Sequence, residues 1–300
     1  MPARLPEAEH AMRRAFICPS KYVQGENELL NLGYFVRQYG TKALLVATES
    51  SVNRVRQTLE ATAAKFGVTF VETEFQGECS RVEIARLGEL ARQHSCHCTV
   101  GLGGGKALDT ARCVAAGQGV IVVPTTAATD APTSHSAVIY TPDGEMEDYA
   151  YFPRNPDVVL MDVSIIAASP VRYLVSGMGD ALSTYFEARA NVRSCAPVNA
   201  GLPCGARTGD CPPARGTLAA QALAATCYRT LLDDGYKAVL ACQAKMATPA
   251  LENIIEANSL LSGLGFESGG LAAAHAVHDG LTALEETHTY LHGEKVAFGT

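Results

Sequence analysis

The 300-residue sequence has no tryptophan, no internal repeat and no apolar run approaching the ~20 residues that span a bilayer. A solenoid and a membrane-spanning segment are therefore not expected. Met1 to Phe16 scatter charges through their length and hold no apolar stretch, so a secretory signal is not expected either. Positive charge is in deficit: 24 Lys and Arg face 31 Asp and Glu, for a net charge of −7. With no basic stripe visible, this argues against a nucleic-acid or anionic-membrane partner. Ten cysteines, unevenly spaced and without a secretion signal, read as reduced thiols in a cytoplasmic protein. Cys96-His-Cys98 offers a metal pair, but Cys98 also opens a buried strand, and the strand is the reading preferred.

Two phosphate-binding fingerprints are also missing from Cys98-Thr-Val-Gly-Leu-Gly-Gly-Gly-Lys-Ala-Leu-Asp-Thr-Ala-Arg112. A Walker A loop needs Ser or Thr after its lysine, and Ala107 stands there. The dinucleotide fingerprint needs a third glycine where Lys106 stands. The physical ingredients of an anion site are nevertheless present. A β-run empties into Gly103, Gly104 and Gly105, and Lys106 follows at the start of a helical pattern. Glycines admit close backbone approach, and a helix N-terminus offers free N–H groups and a positive dipole end. The competing reading is a tight turn whose glycines serve backbone geometry alone.

At 47% hydrophobic, the chain is large enough to bury a sizeable core, and two domains are expected. Lys42 to Ala47, Val68 to Phe75, Thr99 to Leu102 and Gly119 to Val123 read as strands, with helices between them. This alternation predicts an α/β N-terminal domain with a mostly parallel, Rossmann-like sheet. Ligands of such sheets lie outside the carboxyl ends of the strands. That singles out the glycine loop and the segment Pro124 to Ser136, which is rich in small hydroxylated residues and holds one carboxylate, Asp130. The segment suits a sugar or a nicotinamide amide, or else is a polar loop with an Asx turn. Ala137–Thr141 and Asp148–Phe152 read as a hairpin, and Asp157 to Met161 as a last strand.

After about residue 165 the pattern becomes helical. Val171 to Ala190 is helical but interrupted at Gly177-Met-Gly-Asp180. Residues 191–216 lose periodicity and read as a flexible surface insertion holding Cys195, Cys204 and Cys211. Helices are expected at 217–232, 236–246, 249–262 and 268–279. Gly293 to Thr300 begin another apolar helix and stop, so a truncated C-terminus is expected. His275, His278, His288 and His292 are four of the eight histidines. Their spacing does not choose between metal ligands and structural residues. Asp180 is the best carboxylate to join them, or else it caps a helix.

Gly103-Gly-Gly-Lys-Ala-Leu-Asp-Thr-Ala111, Pro124-Thr125 with Thr129-Asp-Ala-Pro132, Gly177-Met-Gly-Asp-Ala181 with Phe186-Glu-Ala188, Phe266 to His278, and His292-Gly-Glu-Lys-Val-Ala-Phe-Gly299 resemble one family. It is the iron-containing alcohol dehydrogenase family of metal-dependent polyol dehydrogenases, and within it the glycerol dehydrogenase branch. The resemblance runs from about residue 15 to the end, outside 191–216. It implies a dehydroquinate synthase-like architecture: an NAD-binding α/β domain at 1–165 followed by an all-helical metal and substrate domain at 166–300. It implies zinc on Asp180, His275 and His292, with His278 and His288 as neighbours. It places the pyrophosphate on Gly103, Gly104, Gly105 and Lys106, and the nicotinamide on Thr125, Thr129, Ser134, Ser136 and Tyr140. Asp130 would contact glycerol. The family's proteins commonly form rings of subunits, so a homo-oligomer is implied.

The sequence departs from the resemblance in three ways. Thr48, with Glu49 beside it, stands where an aspartate meets the adenosine ribose, which leaves NAD against NADP open. Ala128 replaces a serine near the cofactor. Further helices follow the position of Thr300 in the family. The activity implied is reversible, zinc-dependent, NAD-linked oxidation of glycerol to dihydroxyacetone, or of other vicinal diols. The alternatives are a truncated or impaired paralogue that binds nucleotide and metal without turnover, and a dehydroquinate-synthase-like lyase. A lyase needs a Lys and Arg cluster near the metal, whereas His275 is flanked by Leu271-Ala-Ala-Ala274 and Ala276-Val277.

Overall fold

The structure, a computed structural model, describes residues 13–115, 117–201 and 213–300. Its centre is a six-stranded sheet built from Lys21–Gly25 (β2), Lys42–Ala47 (β3), Thr69–Glu74 (β4), Cys98–Gly103 (β5), Gly119–Pro124 (β6) and Val158–Asp162 (β9). The order is β2-β9-β6-β5-β3-β4, and every pairing is parallel. The inner strands are apolar because both faces are covered. Along β6, Ile121 and Val123 enter a core with Leu45, Val100 and Leu160. Val120 and Val122 enter a second core with Leu174, Leu231 and Ile254 of the helical part. The period-two alternation of a strand thus welds the helices directly onto the sheet. β2, which sequence reasoning passes over, is an edge strand whose residues are all exposed or half-buried. Its five residues, Lys21-Tyr-Val-Gln-Gly25, hold neither an apolar run nor a sustained alternation to read.

Glu49–Phe66 (α2), Arg81–Gln93 (α3) and Gly105–Ala115 (α4) link these strands, while Leu32–Arg37 (α1) precedes β3. Thr48 and Ser80 cap α2 and α3 through their side-chain oxygens. Ser136–Tyr140 (β7) and Met146–Tyr151 (β8) form the expected hairpin, paired antiparallel. Arg13–Arg14 (β1) pairs in parallel with Ala214–Arg215 (β10), outside the main sheet.

The helical part comprises Val163–Ala167 (α5), Val171–Ser194 (α6), Leu218–Gln243 (α7), Pro249–Glu256 (α8), Ser262–Gly269 (α9), Ala273–Leu281 (α10) and His292–Gly299 (α11). Three expectations are corrected here. α6 runs unbroken through Gly177-Met-Gly-Asp180, α7 is one helix across Gly235, and α8 continues into α9 through a π-turn at Ala257–Leu261. Glycine lowers helix propensity by about 1 kcal/mol but does not stop a helix that tertiary packing supports. Of the expected insertion, 191–194 complete α6, Asn199–Gly201 form a 3-10 turn, and 202–212, with Cys204 and Cys211, lie outside the described residues. No helix among the described residues is long and apolar enough to cross a membrane.

Glycines in α6 and α11 are there for contact. A Cβ on Gly177 would lie 1.9 Å from the Ala127 carbonyl oxygen, and one on Gly293 would lie 1.8 Å from that of Ser176. The absence of side chains lets α6 touch both the loop after β6 and the first turn of α11. Gly293→Ala is therefore expected to push α11 off α6. Thermal or urea unfolding should show a loss of about 1–3 kcal/mol, the usual cost of overpacking.

Candidate metal and nucleotide site

Asp180 sits in the middle of α6 and is fully buried. That position rules out the helix-capping role. His275 comes from the first turn of α10 and His292 from the first residue of α11. Both rings turn Nε2 toward the same atom, Asp180 Oδ1, at 3.5 Å for His275 and 3.1 Å for His292. One donor atom from each of the three residues lies within 4.8 Å of the others. The remaining histidines stand behind. His278 Nε2 is 3.0 Å from His292 Nδ1, while its own Nδ1 is 3.0 Å from Asp279. His288 Nε2 meets the Thr282 carbonyl oxygen. One buried carboxylate and two imidazoles make a donor set suited to zinc or to iron. The residues therefore fit the metal that the resemblance implies.

The electrostatics follow from burial and pairing. Burial works to raise the Asp180 pKa, but the charges and hydrogen bonds of His292 and His275 outweigh it and hold the carboxyl well below its usual range. Burial works to lower His275, yet hydrogen bonds to Asp180 and Glu187, with their charges, raise it to about 10. Asp130 is buried beside this group. Its backbone N–H donates to Asp180 Oδ2 at 3.2 Å, and its own Oδ2 accepts from Ser262 Oγ at 2.7 Å. Burial first, and the charge of Asp180 second, push Asp130 well above the usual carboxylate range.

The glycine loop closes β5 and opens α4. Gly103 has φ +149°, a backbone region that favours glycine, and its carbonyl oxygen accepts the Thr125 N–H at 3.0 Å. The two expected nucleotide segments are thus adjacent. A Cβ built on Gly104 or Gly105 meets nothing within 4 Å, so space above the first turn of α4 is open. The Thr48 hydroxyl lies within hydrogen-bond reach of both Ser50 and Ser51 while capping α2, and Glu49 beside it opens the helix. Lys106 is not a free charge: it pairs with Glu78, and its Nζ lies 5.2 Å from the centre of the Tyr140 ring. Thr129 and Ser136 are half-buried. Ser134 is buried, and its hydroxyl donates to Glu267 Oε1 at 2.7 Å and contacts Ser136 Oγ at 2.8 Å.

Four carboxylates of consequence lacked an assigned role in the sequence reading. Glu187 touches His275, Glu267 gathers Ser134, His135 and Asn155, Glu78 holds Lys106, and Asp279 supports His278. Glu187 had a signal, since it falls seven residues after Asp180 on one helical face and within a motif of the resemblance. Glu78 had none.

A parallel sheet welded to a helical layer, with an Asp–His–His cluster joined to a glycine loop through the 124–136 segment, defines a class that known proteins share. This chain belongs to the iron-containing alcohol dehydrogenase family, whose model matches residues 19–163. Within that family it is 48% identical over 290 residues to the glycerol dehydrogenase of Pseudomonas putida, covering 96% of this chain and 76% of that enzyme. It is 47% identical over 291 residues to the glycerol dehydrogenase of Escherichia coli O6:H1, with 96% and 76% covered. The crystal structure of glycerol dehydrogenase from Schizosaccharomyces pombe matches with a TM-score of 0.87 at 37% identity, over 98% of this chain and 72% of that one. Membership implies a metal and NAD(H) as cofactors.

His275 links pH to the stability of the metal-free protein. Its folded pKa is raised to about 10 from 6.5, so its contribution is complete below pH 6.5 and disappears as pH rises through about 10. Thermal unfolding in chelator should show Tm falling across that window, and His275→Ala should flatten the fall.

Proposed function

We propose that this chain catalyses the reversible, NAD-linked oxidation of glycerol to dihydroxyacetone with zinc held by Asp180, His275 and His292. The observation that carries this reading is the meeting of those three side chains from three separate helices, in a chain 48% identical to a glycerol dehydrogenase. When bound, the metal supplies a Lewis acid that lowers the pKa of a substrate hydroxyl, and NAD supplies the hydride acceptor. The protein supplies position. Gly103, Gly104, Gly105 and Lys106 receive the pyrophosphate at the N-terminus of α4, with Lys106 exchanging its partner Glu78 for the phosphate. Thr125, Thr129, Ser136 and Tyr140 hold the nicotinamide side, and Ser134 braces Ser136 from Glu267. Asp130 takes a substrate hydroxyl on Oδ1 while Ser262 holds Oδ2. In this reading residues 1–165 form the NAD-binding unit and 166–300 the metal unit, and the protein works in the cytoplasm as a homo-oligomer.

The test is reduction of NAD, and separately of NADP, with glycerol, before and after chelation, with zinc or iron added back. Turnover lost to chelator and restored by zinc supports the reading. A folded chain that retains metal and nucleotide but turns over no polyol supports the binding-only alternative. Thr48→Asp tests the ribose end, because aspartate keeps the cap of α2 while adding a carboxylate. It is expected to shift the kcat/KM ratio toward NAD over NADP by about tenfold, equivalent to about 1.4 kcal/mol.

A further inference from the structure

Glu187 lies on α6 with Asp180 and Ser183, and it is 3% exposed. Its two oxygens do different work. Oε1 accepts the backbone N–H of Ala272 at 2.8 Å and of His275 at 3.1 Å. Those are donors at the start of α10, where no side chain of the flanking residue Ala272 makes a cap, so the carboxylate caps the helix from across the structure. Oε2 sits 2.7 Å from His275 Nδ1 and 3.2 Å from Ser183 Oγ, whose one proton it shares with the Asp180 carbonyl oxygen at 2.9 Å. A carboxylate at Nδ1 requires a proton on Nδ1. In a neutral imidazole that leaves the lone pair on Nε2, the atom turned toward Asp180.

We infer that Glu187 is a positioning residue that fixes the place of α10 with one oxygen and the tautomer and direction of His275 with the other. This inference rests on the reading of Asp180, His275 and His292 as metal ligands. The support behind His292 is of another kind. There His278 intervenes, and the carboxylate that ends the chain, Asp279, has a side chain 69% exposed. A buried carboxylate in direct contact constrains an imidazole more than a hydrated one acting through a second ring. The ligand set is therefore asymmetric, with His275 rigid and His292 adjustable.

Glutamine at 187 separates the two functions. Its single oxygen satisfies the two backbone donors, which leaves its NH₂ facing His275 Nδ1. Two donors cannot face each other, so the ring proton moves to Nε2 and blocks the lone pair. The experiment measures zinc affinity by competition with a chromophoric chelator, together with the visible absorption of the cobalt-substituted protein. Wild type, Glu187→Gln, His275→Ala, the double variant and Asp279→Asn are compared. Glu187→Gln is expected to weaken zinc about 10- to 100-fold and to alter the cobalt bands, with a smaller loss in Asp279→Asn. In the His275→Ala background the same change should cost nothing further, because Glu187 acts through that ring. Unchanged affinity in Glu187→Gln, or an equal loss with and without His275, overturns the proposal. Full zinc affinity in His275→Ala overturns the metal reading instead. Should Glu187→Gln not fold, Ser183→Ala withdraws one donor from Oε2 and is expected to give the same cycle, several-fold in size. An equal loss with and without His275 there is likewise a refutation.

Discussion

A carboxylate taken wholly out of water is among the more expensive groups a protein can bury, and Asp180 is one. The structure around it is arranged to make that burial tolerable. Its Oδ1 faces two imidazole nitrogens and its Oδ2 accepts a backbone N–H from the loop after β6. Each of those groups arrives on a different element, so satisfying one aspartate requires α6, α10, α11 and the 124–136 loop to meet at a point. Gly177 and Gly293 permit the meeting because a side chain at either would overlap backbone atoms. The packing that lets α11 approach α6 is thus the packing that delivers His292 to Asp180.

The same loop joins the glycine loop to the Asp–His–His cluster. It leaves β6 beside the glycine loop, where the Thr125 N–H meets the Gly103 carbonyl oxygen. It then passes Asp130 beside Asp180 and reaches Ser134 and His135, where Glu267 of α9 holds it. The Asp109–Arg112 pair of α4 ties it from the other side, with Arg112 donating to the carbonyl oxygens of Ala131 and Ser134. A segment anchored to both parts of the molecule keeps the glycine loop and the Asp–His–His cluster at one fixed separation. Positioning of this sort is what a protein contributes when the cofactor carries the reaction.

Much of the architecture was legible because it depends on local periodicity. The apolar runs at 42–47 and 119–123, the glycine-rich β5–α4 turn and the 137–152 hairpin all keep their pattern whatever surrounds them. What escaped detection had no such pattern. β2 is a polar edge strand, and the breaks expected at Gly177–Asp180 and Gly235 reflect propensities that packing overrides. The Asp180–His275–His292 cluster was singled out through collinear motifs, since spacing left four histidines and two readings of Asp180 open. Glu187 stood in one of those motifs without a role. The pairing of Lys106 with Glu78 was hidden because the two lie twenty-eight residues apart.

By itself, then, the sequence determined the class of fold, the order of strand and helix, the position of the phosphate-type turn and the family. These follow from side-chain period, turn chemistry and motif length, all of which are properties of neighbours along the chain. Tertiary structure alone decided which carboxylate stands behind His275, and that Ser134 turns inward to Glu267. It also decided that the helix through Gly177 does not break. Those outcomes depend on atoms far apart in sequence brought within 3.5 Å, where burial makes every unpaired donor or charge costly and so selects one arrangement.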